Sequence, residues 1–170
     1  AAAGQRRLSV DAHRLTVVEI AEGRLDPAAA LEFVSDPGFG GITLFVGRVR
    51  DFNHGRDVTG ISYDMFVPLA LHGFAEIAAK AERDFGGKLK LYIGHAKGRL
   101  GLGDLAMVVA AGTPHRDEAF RACRQVVEAV KHTSPIWKQE HYADGDSAWS
   151  EGCSLCAPED AADAHPGHAH

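Results

Sequence analysis

No stretch of this chain approaches 18 consecutive apolar residues, so the sequence predicts no membrane-spanning helix. Positive charge is in deficit: 18 Lys and Arg against 23 Asp and Glu leave a net charge of −5. A general nucleic-acid binder needs a basic surplus to neutralise phosphates, and this chain has none. Any anion site must therefore be local. Cysteine is scarce as well. Cys123, Cys153 and Cys156 make three, and an odd number with one inside a helical pattern does not form a secreted disulfide framework. The first residues, AAAGQRRLSV, carry arginines but no apolar run and do not read as a signal peptide. The expected location is the cytoplasm.

What is present fits one domain. The chain has 170 residues, 45% apolar and 24% charged, the balance of an ordinary globular protein. Residues 14–23 have the β-branched content of a strand, and Asp26 followed by Pro27 opens a short helix that must end before Pro37. Residues 40–53 predict a strand with Ile42, Leu44 and Val46 on one face, leading to a polar loop at 51–57 and a return strand at 58–66. Pro68 opens a second helix with its stripe at Ala70, Phe74, Ile77, Ala78, Ala81 and Phe85, stopped by Gly86 and Gly87.

Strands follow at 88–96 and 105–112, joined by a tight glycine-rich turn. A third helix starts from Thr113-Pro114, with a stripe of Ala119, Phe120, Cys123, Val126, Val127 and Val130. Pro135 ends it, and a small hairpin turns at Asp144-Gly145. The order β-α-β-β-α-β-β-α-β-β predicts an α+β fold with a largely antiparallel sheet. Residues 1–13 read as an N-terminal extension, 14–152 as the domain and 153–170 as a disordered tail.

Three stretches could hold an anion. In GTPHRDEAF, His115 and Arg116 occupy the first turn of the third helix, where free N–H groups and the dipole favour negative charge. In FVGRVRDFN, Arg48 and Arg50 lie two apart near a strand end and project from the same face. In VKHTSPIWKQE, Lys131 and Lys138 bracket Pro135, Ile136 and Trp137. Lys131 has a structural reason to sit at a helix C-terminus, whereas Lys138 has none; Trp137 is expected in the core or a pocket wall. Each stretch also has a bland reading as solvated surface charge. Cys153 and Cys156 have the spacing of half a zinc site, but the tail histidines His165, His168 and His170 do not complete it, so no metal is expected. His95 reads as a packed or hydrogen-bonded residue rather than a catalytic one.

Taken in order, FVGRVRDFN, GHAKGRLGLGD, GTPHRDEAF and VKHTSPIWKQE resemble the large, catalytic subunit of molybdopterin synthase, the MoaE family, over residues 14 to 151. The resemblance implies an α/β hammerhead-like fold with an added antiparallel subdomain and three main helices. It implies a sulfurtransferase that needs no cofactor and converts cyclic pyranopterin monophosphate to the dithiolene molybdopterin. The sulfur would come from the thiocarboxylated C-terminal glycine of a small ubiquitin-like carrier subunit, in a central homodimer with one carrier at each end. Carried onto this sequence, Lys131 is the main catalytic lysine and Lys138 assists, with Gln139 and Glu140 beside it. Arg48, Val49 and Arg50 line the phosphate pocket, and His115 and Arg116 join them from the neighbouring protomer. Asp64 and Phe66 depart from the family's usual Glu and Tyr. The competing reading is a non-catalytic module for a small phosphorylated metabolite, with no dependence on a carrier.

Overall fold

A computed structural model describes residues 4–10 and 12–151. Cys153, Cys156 and the tail histidines lie outside them. In chain order the elements are β1 (Gln5–Val10), β2 (His13–Glu19), α1 (Pro27–Val34), β3 (Gly41–Arg48), β4 (Phe52–Asn53), β5 (Arg56–Asp64), α2 (Val67–Phe85), β6 (Lys90–Gly101), β7 (Leu105–Thr113), α3 (Arg116–Thr133), β8 (Trp137–Tyr142) and β9 (Ser147–Glu151). The α+β class with three helices is as expected from the sequence, and two strands are additional. β1 falls inside the expected N-terminal extension and pairs antiparallel with β2. β4 is a two-residue strand inside the expected polar loop, paired with β5.

Strands β6 and β7 are the axis of the molecule. β7 pairs antiparallel with β6 on one side and β3 on the other, while β2 runs parallel to the first half of β6. Both faces of this sheet are covered, which is why β7 reads as an unbroken apolar run rather than an alternation. On one face Leu15, Val17, Leu91, Ile93, Met107 and Val109 pack against Phe74 and Ile77 of α2 and Val126 and Val130 of α3. On the other, Val18, Tyr92, Val108 and Ala110 pack against Ala30 and Val34 of α1. Gly112 lets α1 lie close: a Cβ there would sit 2.1 Å from the Val34 carbonyl oxygen.

β6 is longer than the expected 88–96, because it passes from this sheet into a second one. At Gly98, with φ of 109°, the strand bends, and beyond it Gly98–Gly101 pair with β5. A Cβ at Gly98 would stand 2.7 Å from Ile20 Cγ2, so only glycine allows the bend. β5, β8 and β9 then continue antiparallel, forming the small subdomain. Among the described residues no helix is long and apolar enough to cross a membrane.

The local signals behave as chemistry dictates. The Asp26 carboxylate caps α1 by accepting from the Ala28 and Ala29 N–H groups. α3 begins two residues later than Thr113-Pro114 suggests, with His115 as its extended N-cap residue. Phe120 is not part of the buried stripe: it is 60% exposed, since the packed face runs through Ala119, Ala122 and Cys123. Ser134 ends α3 ahead of Pro135, and Ile136 buries into the helical core. Trp137 is outside the core, 42% exposed at the start of β8.

Candidate functional site

Position along β3 sorts the basic residues. Gly41, at its start, packs against the backbone of His115 and Arg116, where a Cβ would stand 2.9 Å from Arg116 Cα. Arg48, at its end, lies beside Leu105 at the β6–β7 turn. α3 packs along β3, so its N-terminus lies at the Gly41 end. Between Arg116 and Lys131 there are 15 residue steps of α-helix, or about 22 Å. The expected basic set is therefore divided within one chain. Arg48, Arg50, Lys131 and Lys138 belong to one end, and His115 and Arg116 to the other. A cavity of about 240 Å³ lined by Phe85, Lys88, Pro114, His115 and Glu118 lies at the second end.

At the first end, Lys131 stands on the last turn of α3, where the helix dipole favours its charge. Its Nζ lies 6.0 Å from the centre of the Phe45 ring on β3. From Phe45 an apolar floor runs beneath it. Gly47 pairs in register with Met107, and a Cβ on it would stand 3.3 Å from the Phe45 ring; Met107 pairs in register with His95, and His95 meets the edge of Tyr63 at 4.8 Å between ring centres. Tyr63 pairs in register with Lys138 on β8. Lys131 and Lys138 thus stand at the two rims of one continuous floor. The Pro135 turn is what returns the chain so that β8 can reach the second rim.

Lys138 is half-buried and forms an ion pair with Glu140, Nζ to Oε1 at 3.2 Å. Glu140, two residues on and on the same face of β8, is buried. Its Oε2 accepts from the Tyr142 hydroxyl at 2.8 Å, and its Oε1 accepts from Asn53 Nδ2 at 2.6 Å. Burial alone would raise the Glu140 carboxyl. The Tyr142 hydroxyl, the Lys138 ammonium and the Asn53 amide together overcome that and hold it below its ordinary value. A buried carboxylate with this many donors is ionised at neutral pH, and its ion pair fixes where the Lys138 side chain stands. Tyr63, desolvated and facing that carboxylate, is pushed up to about 12 and stays a neutral phenol.

The remaining expected residues separate by local geometry. β3 ends at Arg48, so Arg50 stands just past the strand; Arg48 and Arg50 are both exposed on either side of the buried Val49. Arg48 Nε donates to the Gly103 carbonyl, and the exposed Arg50 donates to Asn53 Oδ1 at 2.9 Å. The Val49 side chain turns into the core with Val108 and Ala110. Gln139 projects from the opposite face of β8 to Lys138 and donates to Ser147. Sequence reasoning passed over Phe45, Asn53, Tyr63 and Tyr142. Asn53 falls in the expected polar loop at 51–57, and the others read as ordinary strand aromatics.

His95 is buried and hydrogen-bonds through Nδ1 to the Ala96 carbonyl, in line with the structural role expected for it. Desolvation lowers it from 6.5 to about 4, so the neutral imidazole is the folded form. The unfolded chain binds that proton more readily. Stability is therefore fully present above about pH 6.5 and declines as pH falls towards about 4, by about 3 kcal/mol at the low end. A series of thermal melts from pH 7.5 to 4.5 should show this slope, and His95→Gln should flatten it. An unchanged slope in that variant would remove His95 as the cause.

The site is thus an apolar floor with cations at its rims, carried on an α+β fold of three helices. Molybdopterin synthase from Staphylococcus aureus superposes with a TM-score of 0.73 at 28% identity, covering 79% of this chain and 94% of that one. A Helicobacter pylori structure, a complex of subunits 1 and 2 of molybdopterin-converting factor, shares the fold with a TM-score of 0.65 at 24% identity, covering 80% of this chain and 89% of that one. The molybdopterin synthase catalytic subunit of Synechococcus elongatus is 44% identical over 149 residues, 88% of each chain. The sequence profile described as MoaE protein matches residues 20–133. The chain belongs to the MoaE protein family.

Proposed function

We propose that the chain is the catalytic subunit of a molybdopterin synthase, a sulfurtransferase acting on cyclic pyranopterin monophosphate with a thiocarboxylated small carrier subunit. The observation that carries this reading is the floor between Lys131 and Lys138, two cations placed in an otherwise acidic chain of this family. Both reactants are anionic, a phosphate on the pterin and a thiocarboxylate on the carrier tail. Cations fixed in advance where negative charge develops stabilise it without solvent reorganisation. Lys131 meets the thiocarboxylate, and Lys138, held in place by Glu140, stabilises the negative charge that develops as sulfur attacks the pterin side chain. Arg50 takes the phosphate. Val49 and Arg48 shape that wall from the core and from the β6–β7 turn, and Gln139 supports it through β9. The reaction requires no metal or organic cofactor.

His115 and Arg116 complete the anion site only from a second copy of the chain. β3 supports this arrangement: among the described residues its one strand partner is β7, so its other edge is open. Two such edges meeting antiparallel about a twofold axis would place the partner's His115 and Arg116 at this chain's Arg48 and Arg50 end. The assembly is then a homodimer with a carrier bound at each end. The cytoplasm suits it, because a reducing compartment keeps the carrier's thiocarboxylate sulfur from oxidation.

The test is reconstitution. The purified chain, mixed with thiocarboxylated carrier and cyclic pterin, should form the dithiolene product in proportion to carrier consumed. Phosphate binding with no product and no carrier association would instead favour the metabolite-binding module.

A further inference from the structure

Asn53 is better fixed than a loop residue. His54 and Gly55 both have positive φ, 50° and 72°, the signature of a two-residue type I′ hairpin turn. The turn clamps β4 against β5, with Asn53 paired to Arg56. The Val58 N–H closes the base of this hairpin on the Asp51 carbonyl.

The carboxamide then has one permitted orientation. Its oxygen accepts from Arg50 Nη2 and its nitrogen donates to Glu140 Oε1. Flipping it would set an NH2 against a guanidinium and an oxygen against a carboxylate, losing both bonds. Glu140 Oε1 is thereby shared between the Asn53 amide and the Lys138 ammonium, while Oε2 is occupied by Tyr142. An exposed arginine, an amide, a buried carboxylate and a lysine form one chain of hydrogen bonds across β4 and β8. Arg56 stacks over the Tyr142 ring at 3.7 Å and holds the far side of that chain in place.

We propose that Asn53 is a positioning residue for sulfur transfer: it orients the Glu140 carboxylate that aims Lys138, and it ties that lysine to Arg50. The inference rests on the functional reading above, in which Lys138 and Arg50 face substrate. Asn53 itself acts through Glu140 and not on the reacting atoms. Misplacing a charged group in a preorganised site by about 1 Å lowers turnover by up to about a hundredfold. Two variants separate this role from simple anchoring of Arg50. Asn53→Ala breaks both bonds. Asn53→Asp keeps the shape and the Arg50 bond, but sets a second carboxylate against Glu140 in place of a donor.

The experiment measures kcat, KM for the pterin and the pH profile of kcat on the intact two-subunit enzyme, with Lys131→Ala alongside. Both Asn53 variants should lose about tenfold to a hundredfold in kcat with a smaller change in KM. Losing the Asn53 donor raises the Glu140 carboxyl, so the acid limb of the profile should move to higher pH, further in Asn53→Asp. Asn53→Asp preserves side-chain volume and is the deciding variant if Asn53→Ala folds poorly. The inference is overturned if Asn53→Asp keeps the original kcat and acid limb while Lys131→Ala is inactive. Should Lys131→Ala also be fully active, the functional reading falls instead.

Discussion

Lys131→Ala is expected to reduce dithiolene formation by at least about a hundredfold, the loss seen when one preorganised electrostatic group is removed from a reacting centre. The fold should survive the change. Lys131 is exposed on the last turn of α3 with its Nζ 6.0 Å from the Phe45 ring centre, and the buried stripe of the helix passes through Val126, Val127 and Val130 instead. Losing a cation at a helix C-terminus costs about 0.3–1 kcal/mol, a shift of a few degrees in Tm. Activity and stability should thus come apart: an inactive protein that melts almost normally. Lys131→Arg should recover only part of the rate, because a planar fork does not replace a compact ammonium above an aromatic ring. Product formation from thiocarboxylated carrier, alongside a thermal melt, decides the matter. Activity within about threefold of the unmodified protein would remove Lys131 from the chemistry.

The division of the basic residues leads to the second expectation. If His115 and Arg116 serve the partner's site, Lys131→Ala and Arg116→Ala should each be inactive alone and rescue each other when mixed. In the mixed dimer one site carries both defects and the other carries neither. Random re-association makes half of the dimers mixed, so about a quarter of full activity should return. Were all the groups to act within one chain, no mixture could regain activity, because every site would retain a defect. Unfolding and refolding the two variants together, then assaying against each alone, distinguishes these outcomes. The expected gain is from background to a quarter, which an endpoint assay resolves easily.

The helix boundaries were legible because their causes are local. Asp26 and Pro27 cap one helix, Gly86 ends another and Pro135 ends the third, each through the conformational limits of one or two residues. The two faces of β7 were less so. A strand covered on both sides shows no alternation, and only the placement of α1 opposite α2 and α3 assigns Val108 to one core and Val109 to the other. β1 was missed because Gln5–Val10 contains arginines and gains its place from pairing with β2. Phe120 was misassigned because helical spacing gives a stripe only to within one residue of its edge.

The functional residues follow the same line. Lys131, Lys138, Arg50, His115 and Arg116 stood out because charged pairs beside proline turns and helix ends are visible in one dimension, and their order carried the family resemblance. Asn53 was invisible: of its partners, Arg50 is three residues back in the loop before β4, but Glu140 on β8 is 87 residues away in the chain. By itself, then, the sequence determined which elements form and which ionisable groups are available, since these depend on neighbours within a turn or two. Tertiary structure alone decided which charges meet. The β6–β7 turn takes Arg48 while Asn53 takes Arg50, the length of α3 sends Arg116 away from Lys131, and the pairing of β8 with β5 brings Lys138 to the floor that begins at Phe45.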